Sequence, residues 1–232
     1  MKKTLASILA AFLSLSLVAC GGGGGNNDGS KSSAPAGSGA GSSTPAPAGS
    51  GGSEPIYVGF AQVGHESDWR TASTKSAQDV FSAANGYELS FVDCDNDPAK
   101  QLEAVRSFIQ QGMDYIIIDP IVATGWDTVL TECDEAGIPV IVIDRTVEDS
   151  DKYVAWVGSD FKVEGLACGE WLKAYAADKG ISEINALVIE GSVGASATIG
   201  RTDGFKEIAD REGWTILDSQ SGDFTEVGGQ EV

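Results

Sequence analysis

The chain has 232 residues, with 34 acidic against 15 basic side chains and a formal net charge of −19, a balance that opposes binding to nucleic acid and to anionic lipid surfaces. A hydrophobic content of 42% suits a globular chain, although many of its 30 glycines fall in one early tract that cannot build a core. One histidine and four cysteines without Cys-x-x-Cys spacing argue against a zinc centre, and neither metal nor cofactor is expected.

At the N-terminus, Lys2 and Lys3 precede the apolar run Leu5 to Val18, which ends in Leu17-Val18-Ala19-Cys20. Residues 1–20 therefore read as a secretory signal with a small-residue cleavage site, too short for an ordinary transmembrane helix. The Leu-Val-Ala-Cys ending resembles the bacterial lipobox, which implies acylation of Cys20 and an extracytoplasmic protein held to the cell membrane by that lipid. Residues 21–54 are nearly all Gly, Ser, Ala, Pro and Asn. Such a segment buries too little apolar surface to offset the entropy of ordering and reads as a tether, spanning about 30 Å as a flexible coil. Cys94, Cys133 and Cys168 read as buried free thiols, with one disulfide at most.

From Pro55 onward apolar strands alternate with helical patterns, the signature of an α/β fold with a parallel sheet. The first strand is Ile56 to Ala61, followed by a polar loop, Gln62 to Asp68. Ala77, Val80, Phe81 and Ala84 then recur on one helical face, and Gly86 stops the pattern. Glu88 to Val92 is the second strand. Asp97 and Pro98 cap a helix carrying Leu102, Val105 and Ile109, which Gly112 closes. Tyr115 to Asp119 is the third strand, and Trp126, Val129, Leu130 and Cys133 mark the next helix.

The run Ile138 to Ile143 has the composition of a strand buried on both faces, and it ends in Asp144-Arg145. Ligands of open α/β sheets sit beyond the carboxyl ends of the strands, so this strand would deliver one acceptor and one forked donor there. Tyr153 to Val157 is a further strand, and Gly158-Ser159-Asp160 a turn with a helix cap, where the chain is expected to cross into a second lobe. A helix from Phe161, a strand from Ala186 to Glu190, a helix beginning near Ala197 with Phe205, Ile208 and Ala209 inward, and a strand from Trp214 to Leu217 complete the pattern. Past the tether the chain falls short of the roughly 250 residues that two such lobes need, so it is expected to be part of a longer reading frame.

Several of these pieces in register carry a resemblance. Val58-Gly59-Phe60-Ala61-Gln62-Val63-Gly64 with Glu66, Trp69 and Arg70, then Ile116 to Pro120, Thr124 to Asp127, Val142 to Arg145, Gly158 to Asp160, Arg201 with Gly204 and Phe205, and Ser219 to Phe224 closely resemble type I periplasmic sugar-binding proteins. The likeness is greatest to the galactofuranose-binding branch of the ribose-binding group. It implies the periplasmic-binding-protein type I fold, with two doubly wound parallel-sheet lobes at 55–157 and 158–232, the second incomplete. It also implies a monomeric receptor that closes on a monosaccharide and hands it to the permease of an ABC transporter. Asp144 and Arg145 match the pair that grips sugar hydroxyls, and Arg201 matches the arginine of the second lobe. Trp69 and Phe224 match the aromatics that sandwich the sugar ring, Glu66 and Arg70 match first-loop contacts, and Asp119 stands at a polar strand-end position.

The chemistry of these side chains agrees with that use, because charged groups form strong hydrogen bonds to hydroxyls and flat aromatic rings suit the C–H faces of a sugar. Each also has a plainer reading: Trp69 as a helix-start staple, Phe224 as core, Arg201 on a solvated helix face, Asp119 as a helix cap. His65 reads as a bystander. A sugar-processing enzyme is the alternative from another class, but the phosphate-loop, dinucleotide and nucleophile-elbow motifs are missing, and no catalysis is expected. A repressor-like effector domain would need a basic helix-turn-helix where the lipobox stands. A sensor presenting its sugar to a signalling receptor stays open.

Overall fold

The computed structural model describes residues 54–232, so the signal segment, Cys20 and all of the tether except its last residue lie outside the described part. Within it, β1 (Ile56–Gln62), α1 (Asp68–Val80), β2 (Tyr87–Asp93), α2 (Pro98–Gln111), β3 (Tyr115–Ile118), α3 (Asp127–Glu135), β4 (Val140–Ile143) and β5 (Ala155–Val157) follow one another. They build a parallel sheet in the order β2-β1-β3-β4-β5. The order reverses beside β1: the chain steps outward to β2 and then returns to lay β3 on the other flank. Loops leaving β1 and β3 therefore diverge and open a crevice at the carboxyl ends of those strands.

Most of the core lies on the face covered by α2 and α3. There Val105, Phe108, Ile116, Ile118, Trp126, Val129, Leu130 and Val142 are almost completely buried. Asp97 caps α2 by accepting from the backbone N–H groups of Ala99 and Lys100, with Pro98 in the first turn and Gly112 left-handed at its end, as the sequence leads one to expect. Cys94 and Cys133 are buried free thiols, pushed up by burial to about 12 and about 11. Cys168 is also unpaired but exposed, against expectation, because it borders an open cavity beside Leu187 and Ile189.

The opposite face differs from the expectation of a strand buried on both sides. Among the described residues, α1 covers it, over a small cluster around Val58, Phe60 and Ile117. Ile141 and Ile143 are half-buried beside an apolar cavity of about 570 Å³. The helical face from Ala77 to Ala84 is corrected too. The helix begins at Asp68 and ends at Val80, which is exposed, while Ala84 sits in a separate 3-10 turn, Ala83–Asn85. The side chains of Ser82 and Asn85 donate to the Asp79 carbonyl, and Asn85 donates to that of Val80 as well. Local side-chain bonds thus take the carbonyls that a longer helix would use.

The chain leaves the sheet at Gly158, where a β-carbon would stand 2.2 Å from the Asp144 carbonyl oxygen. It continues as α4 (Phe161–Lys179), β6 (Asn185–Glu190), α5 (Ser196–Glu212), β7 (Thr215–Ser221) and the short α6 (Glu226–Glu231), with β6 and β7 paired in parallel as a second sheet. Asp160 caps α4 by accepting from the Val163 N–H. Glycines let α4 and α5 approach closely: a β-carbon at Gly165 would lie 2.2 Å from the Arg201 carbonyl oxygen, and one at Gly204 would lie 2.3 Å from that of Lys162. Among the described residues no helix is long and apolar enough to cross a membrane.

Candidate functional site

Three loops meet at the carboxyl ends of β1, β3 and β4. The first turn of α1 carries Arg70, fixed by the end of β1: the Gln62 amide donates to the Arg70 carbonyl at 3.0 Å, and the Thr74 hydroxyl donates to Gln62 Oε1 at 2.6 Å. Buried Gln101 on α2 splints the crevice, donating to the carbonyls of Ala61 and Asp119 and accepting from the Ile121 N–H. With the backbone so held, side chains from separate loops converge.

Arg70 is the hub. Its Nε donates to Glu66 Oε1 at 2.8 Å, its Nη1 to Asp119 Oδ2, and its Nη2 lies 3.0 Å from Asp144 Oδ2. Arg145 is equally buried, donates through Nη1 to the Ile121 carbonyl at 3.1 Å, and brings Nη2 to 3.9 Å from Glu66. Three carboxylates thus face two guanidiniums, and the set carries one excess negative charge when all are ionised. Burial, and secondarily Asp144, push the Asp119 carboxyl up to about 7 against the pull of Arg70. Burial opposes the Arg70 charge, but Asp119, Glu66 and Asp144 outweigh it and raise its pKa. Burial and the neighbouring Arg70 lower that of Arg145. Asp119 Oδ1 and Glu66 Oε2 have no protein hydrogen-bond partner among the described residues. Asp144 adopts φ 56, an uncommon conformation that Asp accepts more readily than most residues.

Above this floor lies a cavity of about 410 Å³ between the two sheets, a volume typical of small-molecule sites. Glu66, Arg70, Asp144 and Arg145 line it from the first sheet, with Trp69 at its side and Arg201 and Phe224 opposite. Seven of the eight residues singled out by sequence therefore share one cleft. Asp119 stands behind it, fully buried, and reaches the cleft only through Arg70. Trp69 is 57% exposed, which excludes the role of a buried staple, and the Arg70 guanidinium lies over its ring. Phe224 is not core: its ring stacks on Arg145, 5.1 Å from guanidinium carbon to centroid. Arg201 is held by Glu164 at 2.8 Å and lies over the Phe161 ring. His65 pairs with Asp93 outside the cleft.

The sequence alone did not assign Ser67, Ser159, Phe161 and Glu164 to the site, although they also line the cavity. Ser67 was legible as a helix cap, since it accepts from the Arg70 N–H. Glu164 gave no signal, because its partner Arg201 lies on another helix. An adjoining cavity of about 450 Å³ runs beside Cys168, Leu187, Ile189 and Phe205; its mainly apolar walls suit a polyhydroxylated ligand less well than the charged floor of the cleft. No group of side chains arranged to hold a metal occurs among the described residues.

A model described as a periplasmic binding protein domain matches residues 58–231. The galactofuranose-binding protein YtfQ of Escherichia coli is 42% identical over 181 residues, covering 77% of this chain and 56% of the relative. A Mycobacterium smegmatis protein solved in complex with β-D-fucofuranose is 45% identical with a TM-score of 0.70, covering 76% of this chain and 58% of that one. The periplasmic binding protein component of a Shewanella arabinose ABC transporter, bound to α- and β-L-arabinofuranose, is 40% identical with a TM-score of 0.67 and the same coverage. The chain spans little more than half the length of these relatives. With a doubly wound parallel sheet, a charged crevice at its switch point and a match over residues 58–231, the chain belongs to the periplasmic binding protein domain family.

Proposed function

We propose that this chain captures a monosaccharide in its furanose form, in the cleft between the two sheets, and presents it to the permease of an ABC transporter. The carrying observation is the charged floor of the cleft, where one arginine grips Glu66, Asp119 and Asp144 below walls that include Trp69 and Phe224. Carboxylates accept from sugar hydroxyls, guanidiniums donate to them, and aromatic faces cover the C–H surface. The furanose form is favoured by relatives named for galactofuranose or bound to fucofuranose and arabinofuranose. Binding without turnover fits a site whose acids are tied into ion pairs. The lipobox at Cys20 supports attachment of a monomeric receptor to the outer surface of the cell membrane.

Calorimetry with arabinose, galactose and methyl furanosides, on a protein that carries this chain and spans the full length of its relatives, tests this reading. Saturable binding of a methyl furanoside, with methyl pyranosides excluded, is the expected result. Equal binding of both ring forms would remove the furanose assignment, and no binding of any sugar would remove the sugar.

A further inference from the structure

We infer that Gly191 is a positioning residue of the cleft, because its missing side chain leaves the space that seats the Phe224 ring against Arg145. The inference rests on the proposed sugar site for its consequence, but its geometry stands apart from it. Gly191 is buried at the end of β6. A β-carbon there would lie 2.0, 2.2 and 2.3 Å from Cζ, Cε1 and Cε2 of Phe224, so the far end of the ring fills the place of a side chain. The ring also meets the Arg145 guanidinium, itself buried and held by the Ile121 carbonyl.

The backbone that carries Phe224 has little freedom to retreat. Asp223 and Phe224 both have positive φ, 54 and 57, a costly pair of conformations for residues with side chains. Around them the Gly222 N–H donates to the Glu190 carbonyl at 2.8 Å, the Asp223 N–H to Ser221 Oγ at 3.2 Å, and the Thr225 N–H to the Gly222 carbonyl at 3.0 Å. Ser221 Oγ in turn donates to the Gly191 carbonyl at 2.6 Å, so the glycine and the Phe224 turn are tied as one piece. A methyl group at position 191 therefore acts on the ring rather than the turn. Gly191 itself lacks a positive φ, so alanine is tolerated by its backbone. The ring must swing away from Gly191, changing both its stack on Arg145 and the room left for a ligand.

Two readouts on the full chain test this. In aromatic NMR with ¹³C-labelled phenylalanine, with the Phe224 signals assigned by their loss in Phe224→Leu, Gly191→Ala is expected to shift those signals and to abolish their contact with the Hα of residue 191, while the other phenylalanines stay in place. Unchanged Phe224 signals in the folded variant would overturn the inference whether or not any sugar binds. In calorimetry with methyl α-L-arabinofuranoside, Gly191→Ala is expected to weaken binding by about tenfold in the wild-type background and by less than about twofold in the Phe224→Leu background, the non-additivity of two residues acting through one contact. Equal losses in both backgrounds would overturn it, because the glycine would then act without the ring. Absence of sugar binding by the unaltered chain would count against the proposed function, and the NMR result alone would then decide the role of Gly191.

Discussion

The guanidinium carbon of Arg145 stands 5.1 Å from the centroid of the Phe224 ring, although Arg145 follows β4 of the first sheet and Phe224 follows β7 of the second. The contact bridges the cleft at its floor and needs a planar cation, since stacking on a ring and donating to the Ile121 carbonyl use different parts of the guanidinium. Arg145→Lys keeps the charge and loses the plane. We expect sugar affinity to fall by about tenfold or more with the folded state retained, measured by calorimetry beside thermal melting. Unaltered affinity in the lysine variant would reduce Arg145 to a point charge.

Asp144→Asn should weaken sugar binding by roughly ten- to a hundredfold, the loss of a charge-assisted bond worth about 1.5–3 kcal/mol. Asparagine is the suitable replacement because Asp144 has φ 56, where alanine would add strain of its own. Calorimetry on the folded variant is the measurement, and full affinity would take this carboxylate out of the site.

Asp119 should make stability depend on pH with a definite sign. Its carboxyl is raised from 3.8 to about 7 in the folded chain, so the folded state holds this proton more tightly than the unfolded state does. The resulting stabilisation is complete below about pH 4, declines as pH rises through about 7, and is gone above it, amounting to about 4 kcal/mol at most. Asp119→Asn keeps the shape and removes the titration. Urea midpoints at pH 5 and pH 8 should differ less in the variant than in the wild type; an equal difference would assign the pH dependence to groups other than Asp119.

Cys20→Ser should release the protein from the membrane fraction of expressing bacteria, since Leu17-Val18-Ala19-Cys20 resembles a lipobox, in which this cysteine would carry the lipid. Detergent partitioning of both forms is the check. Identical partitioning would separate the protein from lipid attachment at this cysteine.

Much of the fold could be read in advance because its signals are local. Asp97-Pro98, Gly112 and Asp160 mark helix ends by side-chain and backbone chemistry that depends on a few neighbours. The meeting of Arg70 with Asp119, 49 residues apart, is not local. It follows from β1 lying between β2 and β3, an order that strand composition does not encode, and the resemblance to a family brought these residues together on paper before the geometry did. Burial of β4 was misjudged for a related reason. A run of Val and Ile describes a strand that can be covered twice, whereas Ile141 and Ile143 are covered only as far as α1 reaches. Glu164 stayed hidden because an acid in the first turn of a helix looks like ordinary complement to the helix dipole, and its ion pair with Arg201 exists only once α4 and α5 are in contact.

Gly158, the point where the chain leaves the first sheet, has a consequence for how the cleft can move. The Asp144 carbonyl lies against Gly158 and accepts from Trp156 Nε1 at 3.3 Å, while the Asp144 N–H donates to the Val157 carbonyl at 2.9 Å. The acid facing the cleft is thereby clamped to the segment about which the second sheet would swing. A displacement of that segment would reach the Asp144 peptide through these contacts, so the crossing into the second sheet and the backbone of a cleft-lining carboxylate are tied together.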